Sequence, residues 1–208
     1  MALTRINEVS IRQKFVKAAQ APKFTNFMHS AANTRFVIAR EVMLEDFDKH
    51  EVTQELKGSP KSRTSKFLSK GNLIAFLGLS NPKELLASVR NFLRTNTNMS
   101  DKAKISIAGN RINYGFKVTV PSKSQVFEAF PAPDDYSSRS WLEIIEKGIN
   151  SIIWYVFWSK GFGPKSNSRS GTGLEIEGAN IKNVAKYTPP EDSYISGLIE
   201  KFISKFKR

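Results

Sequence analysis

Cysteine is absent from the 208 residues, and histidine occurs only as His29 and His50. The first absence excludes disulfides, cysteine-based zinc sites and thiol nucleophiles, and with them an extracellular disulfide scaffold. Neither histidine lies near a nucleophile elbow of the Gly-x-Ser-x-Gly kind, so a serine triad is not predicted. Asp46 and His50 stand four residues apart, but one histidine with scattered carboxylates does not define a metal site. We predict no catalytic residue, no metal and no cofactor.

Long apolar runs are also missing. The most apolar stretch, residues 149–158, is about half the ~20 residues that a membrane-spanning helix needs, and it predicts buried core. Charged side chains interrupt residues 1–20, which therefore lack the apolar core of a secretory signal. We expect no membrane span and a chain that stays in the cytoplasm where it is made.

Two short motifs resemble chemical sites without meeting the requirements of those sites. The adjacent carboxylates Asp134 and Asp135 follow prolines, where acidic residues usually solvate a turn. The segment 161–166 ends like a phosphate-binding loop, but Pro164 stands where that loop needs glycine before the lysine, and proline has no amide hydrogen to donate. Nucleotide hydrolysis is not predicted.

Positive charge is abundant: 32 Lys and Arg stand against 19 Asp and Glu, a formal net charge of +13. Such a chain favours anionic partners such as nucleic acid, an acidic protein surface or an anionic membrane face. Two segments rich in glycine and serine, 57–70 and 160–173, contain no acid and predict flexible basic loops. Contact with phosphates or with a protein partner is one interpretation, and solubility of an assembling subunit is the other. The candidate contact residues are Lys57, Lys61, Arg63, Lys66, Lys70, Lys160, Lys165 and Arg169.

The hydrophobic pattern predicts an α+β fold in which a small, hairpin-based antiparallel sheet is flanked by several amphipathic helices. The hairpin covers residues 105–120 around a Gly109-Asn110 turn. Short strands are expected at 73–79 and 126–130, and an extended piece at 174–177. Helices are expected within 1–25, from an N-cap at Ser30 to about Leu56, from Asn81, from Ser140 and after Pro190. For 152–158 helix is favoured over strand.

The chain length fits a single domain over residues 1–208, with the terminal helices as arms. The C-terminal amphipathic helix (190–208) carries apolar residues at helical spacing. Such a helix packs into the core of its own chain or docks on a neighbouring subunit. The candidate interface residues are Ile195, Leu198, Ile199, Phe202 and Phe206.

Several stretches together resemble the neck or tail-completion proteins of tailed bacteriophages, which occupy the joint between head and tail. The stretches are HEVTQEL (50–56), GNLIAFLG (71–78), RSW and IEKG within 138–148, and SRSGTGL (168–174) followed by YTPP (187–190).

This resemblance implies a non-enzymatic virion protein that forms a homo-oligomeric ring around the DNA channel. Its partners would be other copies of itself, the neighbouring portal, neck and tail proteins, and the double-stranded DNA that passes through. The acidic stripe on the helix that ends near Leu56 would pair with a basic loop of the next subunit and so set the register of the ring. A cytoplasmic nucleic-acid-binding protein, contacting phosphates through the same basic loops, is the alternative.

Overall fold

The computed structural model describes residues 8–58, 65–68, 72–79, 81–108, 111–132, 139–147, 154–157, 174–177, 190–191 and 193–206. Over these residues the chain forms helices α1 (Glu8–Ala19), α2 (Pro22–Lys49), α3 (Glu51–Lys57), α4 (Leu73–Phe76), α5 (Pro82–Asn96), α6 (Lys123–Ala129), α7 (Trp141–Lys147) and α8 (Tyr194–Ser204). The strands are β1 (Asn98–Ala108), β2 (Arg111–Thr119), β3 (Trp154–Phe157) and β4 (Leu174–Glu177). The predicted α+β class, with an antiparallel hairpin and flanking helices, is confirmed.

Where the sequence predicted one domain, the structure divides into two compact units. The first comprises Met1–Glu41 and Asn96–Val120, and the second comprises Val42–Thr95 and Pro121–Arg208. The boundaries fall within α2 and at the end of α5, so each unit is built from segments distant in sequence.

The first unit is built on the hairpin of β1 and β2. The strands pair antiparallel from Ala108 opposite Arg111 to Asn98 opposite Thr119, and the register shifts between Met99 and Ala103. Along β2 exposed residues alternate with half-buried ones, as a strand with one covered face requires. The predicted hairpin is confirmed, while its predicted turn residues, Gly109 and Asn110, lie outside the described residues.

Helices α1 and α2 contact the covered face of this hairpin. The Tyr114 hydroxyl donates a hydrogen bond of 2.8 Å to the carbonyl oxygen of Ala19 at the end of α1. The Phe116 ring meets the edge of the His29 ring on α2, with ring centroids 5.6 Å apart. The predicted start of the long helix was wrong: Ser30 lies inside α2, which begins at Pro22, because proline suits a first helical turn where no amide donor is needed.

The second unit contains the larger core. α6 contacts α7, and α7 contacts α8. Near the N-terminus of α8, the hydroxyls of Thr53 and Tyr194 form a hydrogen bond of 2.6 Å, and both residues are fully buried. Burial raises the pKa of Tyr194 well above its ordinary value, so this hydroxyl stays neutral. Buried apolar side chains of the unit include Phe47, Leu56, Leu73, Leu86, Val89, Leu93, Val126, Trp141, Leu142, Ile145, Tyr194, Leu198 and Phe202.

The long helix predicted to reach Leu56 is interrupted at His50. This residue takes an extended conformation (φ −58°, ψ 139°), and its Nδ1 accepts a hydrogen bond from the amide of Val52 at 3.2 Å. The imidazole therefore caps the N-terminus of α3, a task usually performed by Ser, Thr, Asp or Asn. Periodicity alone did not predict the break, since the apolar pattern continues across it.

Two predicted strands are helices. Residues 73–76 form one helical turn that ends at Gly78 (φ 65°), and Leu79 donates its amide hydrogen to the carbonyl of Ile74. This 6→1 bond around a left-handed glycine is a Schellman motif. Residues 123–129 form α6, because Ser122 and Gln125 make a reciprocal capping box. Both capping signals, Gly78 and the Ser122–Gln125 pair, are present in the sequence. The short apolar runs beside them led to the incorrect strand predictions.

The preference for helix at 152–158 was also wrong. Residues 154–157 form β3, which pairs antiparallel with β4, from Trp154 opposite Glu177 to Phe157 opposite Leu174. The extended piece predicted at 174–177 is confirmed. The strand partner β4 lies 17 to 23 residues further along the chain, and the apolar run itself carried no information about that partner.

The helix predicted at Asn81 is confirmed. α5 begins at Pro82, and the Asn81 side-chain amide donates to the Glu84 carboxylate at 2.5 Å. The helix predicted from Ser140 is confirmed as α7, with the Ser140 hydroxyl accepting the amide of Leu142 at 3.2 Å. The terminal helix is confirmed as α8, which follows Ser193.

Candidate functional surfaces

The described residues of the first predicted basic loop, 57–58 and 65–68, contact acidic side chains of α2 and α3 within the same chain. Lys57 Nζ lies 3.0 Å from Asp48 Oδ1, and Lys66 Nζ lies 2.6 Å from Glu51 Oε1. The Glu55 carboxylate accepts the amides of Lys66 at 3.3 Å and Leu73 at 2.9 Å. Asp48, Glu51 and Glu55 belong to the acidic stripe that we expected to meet the next subunit, and they already have partners within their own chain.

Asp48 is the centre of this charge network. Besides Lys57, its carboxylate accepts a hydrogen bond of 2.8 Å from Arg90 Nε of α5. Burial alone would raise the pKa of Asp48, but the hydrogen bonds from Arg90 and Lys57, together with their positive charges, lower it below its ordinary value of 3.8. The network joins three helices of the second unit, which is a structural role.

Beside this network is an open groove of about 500 Å³, lined by Lys49, Glu51, Gln54, Glu55, Ser65 and Lys66. The two lysines and two glutamates in its lining cancel in formal charge. Glu55 uses both carboxylate oxygens on backbone amides, and Glu51 pairs with Lys66. The groove therefore offers neither a net charge for an anion nor a free carboxylate for acid–base chemistry.

Other predicted contact residues lie outside the described residues. They are Lys61, Arg63, Lys70, Lys160, Lys165 and Arg169, and with them the whole segment 160–173 and the carboxylates Asp134 and Asp135. Of the eight basic residues named from the sequence, the described structure therefore contains Lys57 and Lys66, and each is paired with an acid.

The apolar face of α8 is occupied by the core of the second unit. Ile195, Leu198, Ile199 and Phe202 are between 0% and 8% exposed, while Phe206 is 38% exposed. The interface prediction for the first four side chains is therefore corrected, because a side chain that fills its own core cannot also cover a neighbour. The core-packed interpretation of this helix agrees with the structure.

The two histidines are held by local contacts. His50 caps α3 through Nδ1, and its ring lies against Tyr194 with centroids 4.7 Å apart. His29 Nε2 lies 3.4 Å from Asp101 Oδ1. Among the described residues no group of three or more His, Asp or Glu side chains is placed to hold a metal ion. In the same part of the chain no helix is long and apolar enough to cross a membrane.

A different apolar surface runs along the N-terminal half of α2. Phe24, Phe27 and Ile38 are 54%, 70% and 59% exposed. With the exposed residues Ala31 and Thr34 they recur at alternating spacings of three and four residues, which places them on one side of the helix. The buried residues Phe36 and Ala39 lie on the opposite side. We call these five residues the α2 stripe; it extends for about 21 Å.

Sequence reasoning missed this stripe for a specific reason. The helix was predicted to begin at Ser30, so Phe24 and Phe27 were not placed on the same helix as Ile38. Pro22 followed by the 3-4-3-4 spacing is the signal that would have revealed it. The Thr34 hydroxyl donates a hydrogen bond to the Ser30 carbonyl at 3.0 Å, so this polar group is already paired within the helix.

No protein-family model matches the chain, and neither a curated protein nor a solved structure is significantly similar to it.

Proposed function

We propose that the chain is a non-enzymatic virion protein of the head–tail joint of a tailed bacteriophage, acting as a neck, tail-terminator or tail-completion subunit in a homo-oligomeric ring. The observation that carries the proposal is the exposed α2 stripe. An exposed apolar row at coiled-coil spacing is expected on a subunit that packs against another helix, and it is a liability on a monomer. The sequence resemblance to phage joint proteins supplies the kind of assembly.

The stripe is suited to a neighbouring copy because of its length and shape. About 21 Å of helix with large side chains near one end and small ones in the middle can receive a second helix at close distance. Covering Phe24 and Phe27, which are now 54% and 70% exposed, would contribute about 1–2 kcal/mol each. In a ring the stripe would meet a different surface of the next copy, and this head-to-tail contact would recur at every subunit.

Light scattering of the purified protein, with electron microscopy of large species, tests the assembly. We expect a multimer whose mass falls to that of one chain when Phe24→Ser and Phe27→Ser are combined, while the circular dichroism spectrum is unchanged because both side chains are exposed. Val37→Ser, on the same helix but outside the stripe, is the matched control and should keep the multimer. A wild-type protein that stays monomeric and does not associate with portal or tail components would refute the proposal.

The alternative function, phosphate contact through the loop at 57–70, has weaker support. Lys57 and Lys66 already neutralise Asp48 and Glu51. Freeing either lysine for a phosphate would leave a carboxylate without its partner, a cost that offsets the new contact.

A further inference from the structure

Positive charge is concentrated in the first unit. The segments that compose it, Met1–Glu41 and Asn96–Val120, carry 11 Lys and Arg against 3 Asp and Glu, a formal charge of +8 out of the +13 of the chain. The second unit is more than twice as long and carries the remaining +5. The two basic loops lie in the second unit, where acidic residues elsewhere offset much of their charge.

Within this unit the outward face of the β1–β2 hairpin is cationic. Lys104 on β1 and Arg111 and Lys117 on β2 are exposed and alternate with the half-buried residues that face α1 and α2. Lys102, next to the irregularity in β1, is exposed as well. Among the described residues none of these four side chains makes an ion pair.

The hairpin sequence contains one acid, Asp101, whose side chain is 96% exposed. Asp101 follows the point where the register of β1 shifts, and its carboxylate is 3.4 Å from the His29 imidazole on α2. His29 also contacts Phe116 on the covered face. The four exposed cations of the hairpin therefore outnumber its single acid, and the neutral polar residues Ser106, Asn113 and Thr119 are exposed beside them.

Gly115 lies in the middle of this cationic face. It pairs with Lys104, and a Cβ atom built on it would lie 3.6 Å from the Lys104 carbonyl oxygen, an ordinary contact. Neither its backbone conformation nor crowding requires glycine here. Glycine within a strand often marks a bulge, a bend or a site that a ligand approaches closely, and the register shift of this hairpin lies elsewhere, between Met99 and Ala103.

From these observations we propose that the outward face of the β1–β2 hairpin binds the phosphate backbone of double-stranded nucleic acid. The span from Arg111 to Lys117 is about 20 Å along the strand, so the cations can meet several phosphates of one duplex. A two-stranded ribbon also fits the ~12 Å major groove. An anionic membrane is the poorer partner, because the exposed hairpin residues for which the structure describes side chains include no large apolar residue to insert. This inference rests on the proposed function in one respect: in a head–tail joint, the hairpin face would be the surface that contacts the genome.

Fluorescence anisotropy with a labelled mixed-sequence DNA duplex, titrated between about 50 and 200 mM salt, tests the inference. Each lysine that contacts a phosphate contributes about 0.9 to the slope of log affinity against log salt. The double variant Lys104→Gln, Lys117→Gln should therefore lower that slope by about 2 and weaken binding at low salt at least tenfold. The matched control Lys83→Gln, Lys205→Gln removes the same charge from exposed positions in the second unit and should leave the slope unchanged.

A second variant removes no charge. Gly115→Val should keep or raise the melting temperature, since valine favours strands and finds room, but it should weaken duplex binding several-fold by keeping the backbone away. Equal binding by wild type, the hairpin variant and the control would overturn the inference. So would hairpin-dependent binding to phosphatidylserine vesicles without binding to the duplex.

Light scattering on the same samples separates the two proposals. A multimer that fails to bind the duplex refutes the hairpin assignment and leaves the ring proposal standing. A monomer that binds the duplex through Lys104 and Lys117 refutes the ring and leaves the hairpin assignment standing.

Discussion

Glu146 of α7 provides the sharpest test of how the second unit is held together. Its side chain is 2% exposed, and its carboxylate accepts the Ser196 amide at 2.6 Å and also the Ser196 hydroxyl. Lys123 Nζ lies 3.0 Å away. The Ser196 amide is one of the first amides of α8, and the Ser193 side chain does not cap that helix. Glu146 therefore caps α8 from a neighbouring helix.

We predict that Glu146→Ala destabilises the second unit by about 3 kcal/mol. Removing one partner of a buried ion pair costs about 3–5 kcal/mol, and each buried donor left unpaired costs about 1–3 kcal/mol. The estimate is at the low end because Lys123 is 46% exposed, so water can solvate its ammonium group once Glu146 is gone.

Glu143 on the same helix gives the matched control. Its side chain is 22% exposed, against 2% for Glu146, and its carboxylate pairs at 2.6 Å with Lys147, which is 58% exposed and four residues further along the helix. Glu143→Ala should cost no more than about 0.5 kcal/mol. Both variants replace glutamate by alanine on the same seven-residue helix, so the effect of helix propensity cancels. The difference between their free energies of unfolding therefore measures the contribution of the Glu146 contacts.

Urea unfolding followed by tryptophan fluorescence measures the difference. Trp141, Trp154 and Trp158 all belong to the segments of the second unit, so the signal reports on that unit. With an m-value of about 2 kcal/mol/M, a loss of about 3 kcal/mol moves the midpoint by about 1.5 M. Midpoints that coincide for the Glu143 and Glu146 variants would show that α8 does not depend on this carboxylate.

Two further predictions concern the same unit. Because folding lowers the pKa of Asp48, this carboxylate stabilises the folded state above its unfolded pKa near 3.8, and that stabilisation is lost as the pH falls through the lower folded pKa. The free energy of unfolding, measured from pH 5 to about 2, should therefore fall less steeply in Asp48→Asn than in the wild type. Parallel curves for the two proteins would contradict this prediction. Thr53→Val should lower the free energy of unfolding by about 1–3 kcal/mol because it leaves the buried Tyr194 hydroxyl unpaired. In a double-mutant cycle, Thr53→Val combined with Tyr194→Phe should lose less stability than the sum of the two single variants. Strict additivity of the two losses would argue against the hydrogen bond.

Much of the secondary structure was accessible from the sequence because its signals are local. The Asn81-Pro82-Glu84 start of α5 and the alternation along β2 depend on residues within a few positions of each other. The errors at 73–79 and 126–130 were also local: Gly78 and the Ser122–Gln125 capping box outweighed short apolar runs. Local chemistry at the ends of a segment was a better guide than hydrophobicity within it.

The candidate surfaces could not be predicted from local sequence patterns, because they depend on contacts between segments that are distant in the sequence. The sequence contains a basic loop and an acidic helix, and the structure joins them through Lys66 and Glu51, fifteen residues apart. The hairpin was predicted, but its cationic face became distinct only when α1 and α2 covered the other face and the shift in register placed Asp101 near His29.

The sequence by itself determined the α+β class, the hairpin, the terminal helix and the net charge of +13, because composition and short-range spacing decide these properties. Tertiary structure decided which side chains remain available to a partner. It buried Leu198 and Phe202, left Phe24 and Phe27 exposed, and neutralised Lys57. The physical reason is that burial and charge pairing depend on segments brought together by folding, and amphipathic spacing reveals an apolar face without revealing what covers it.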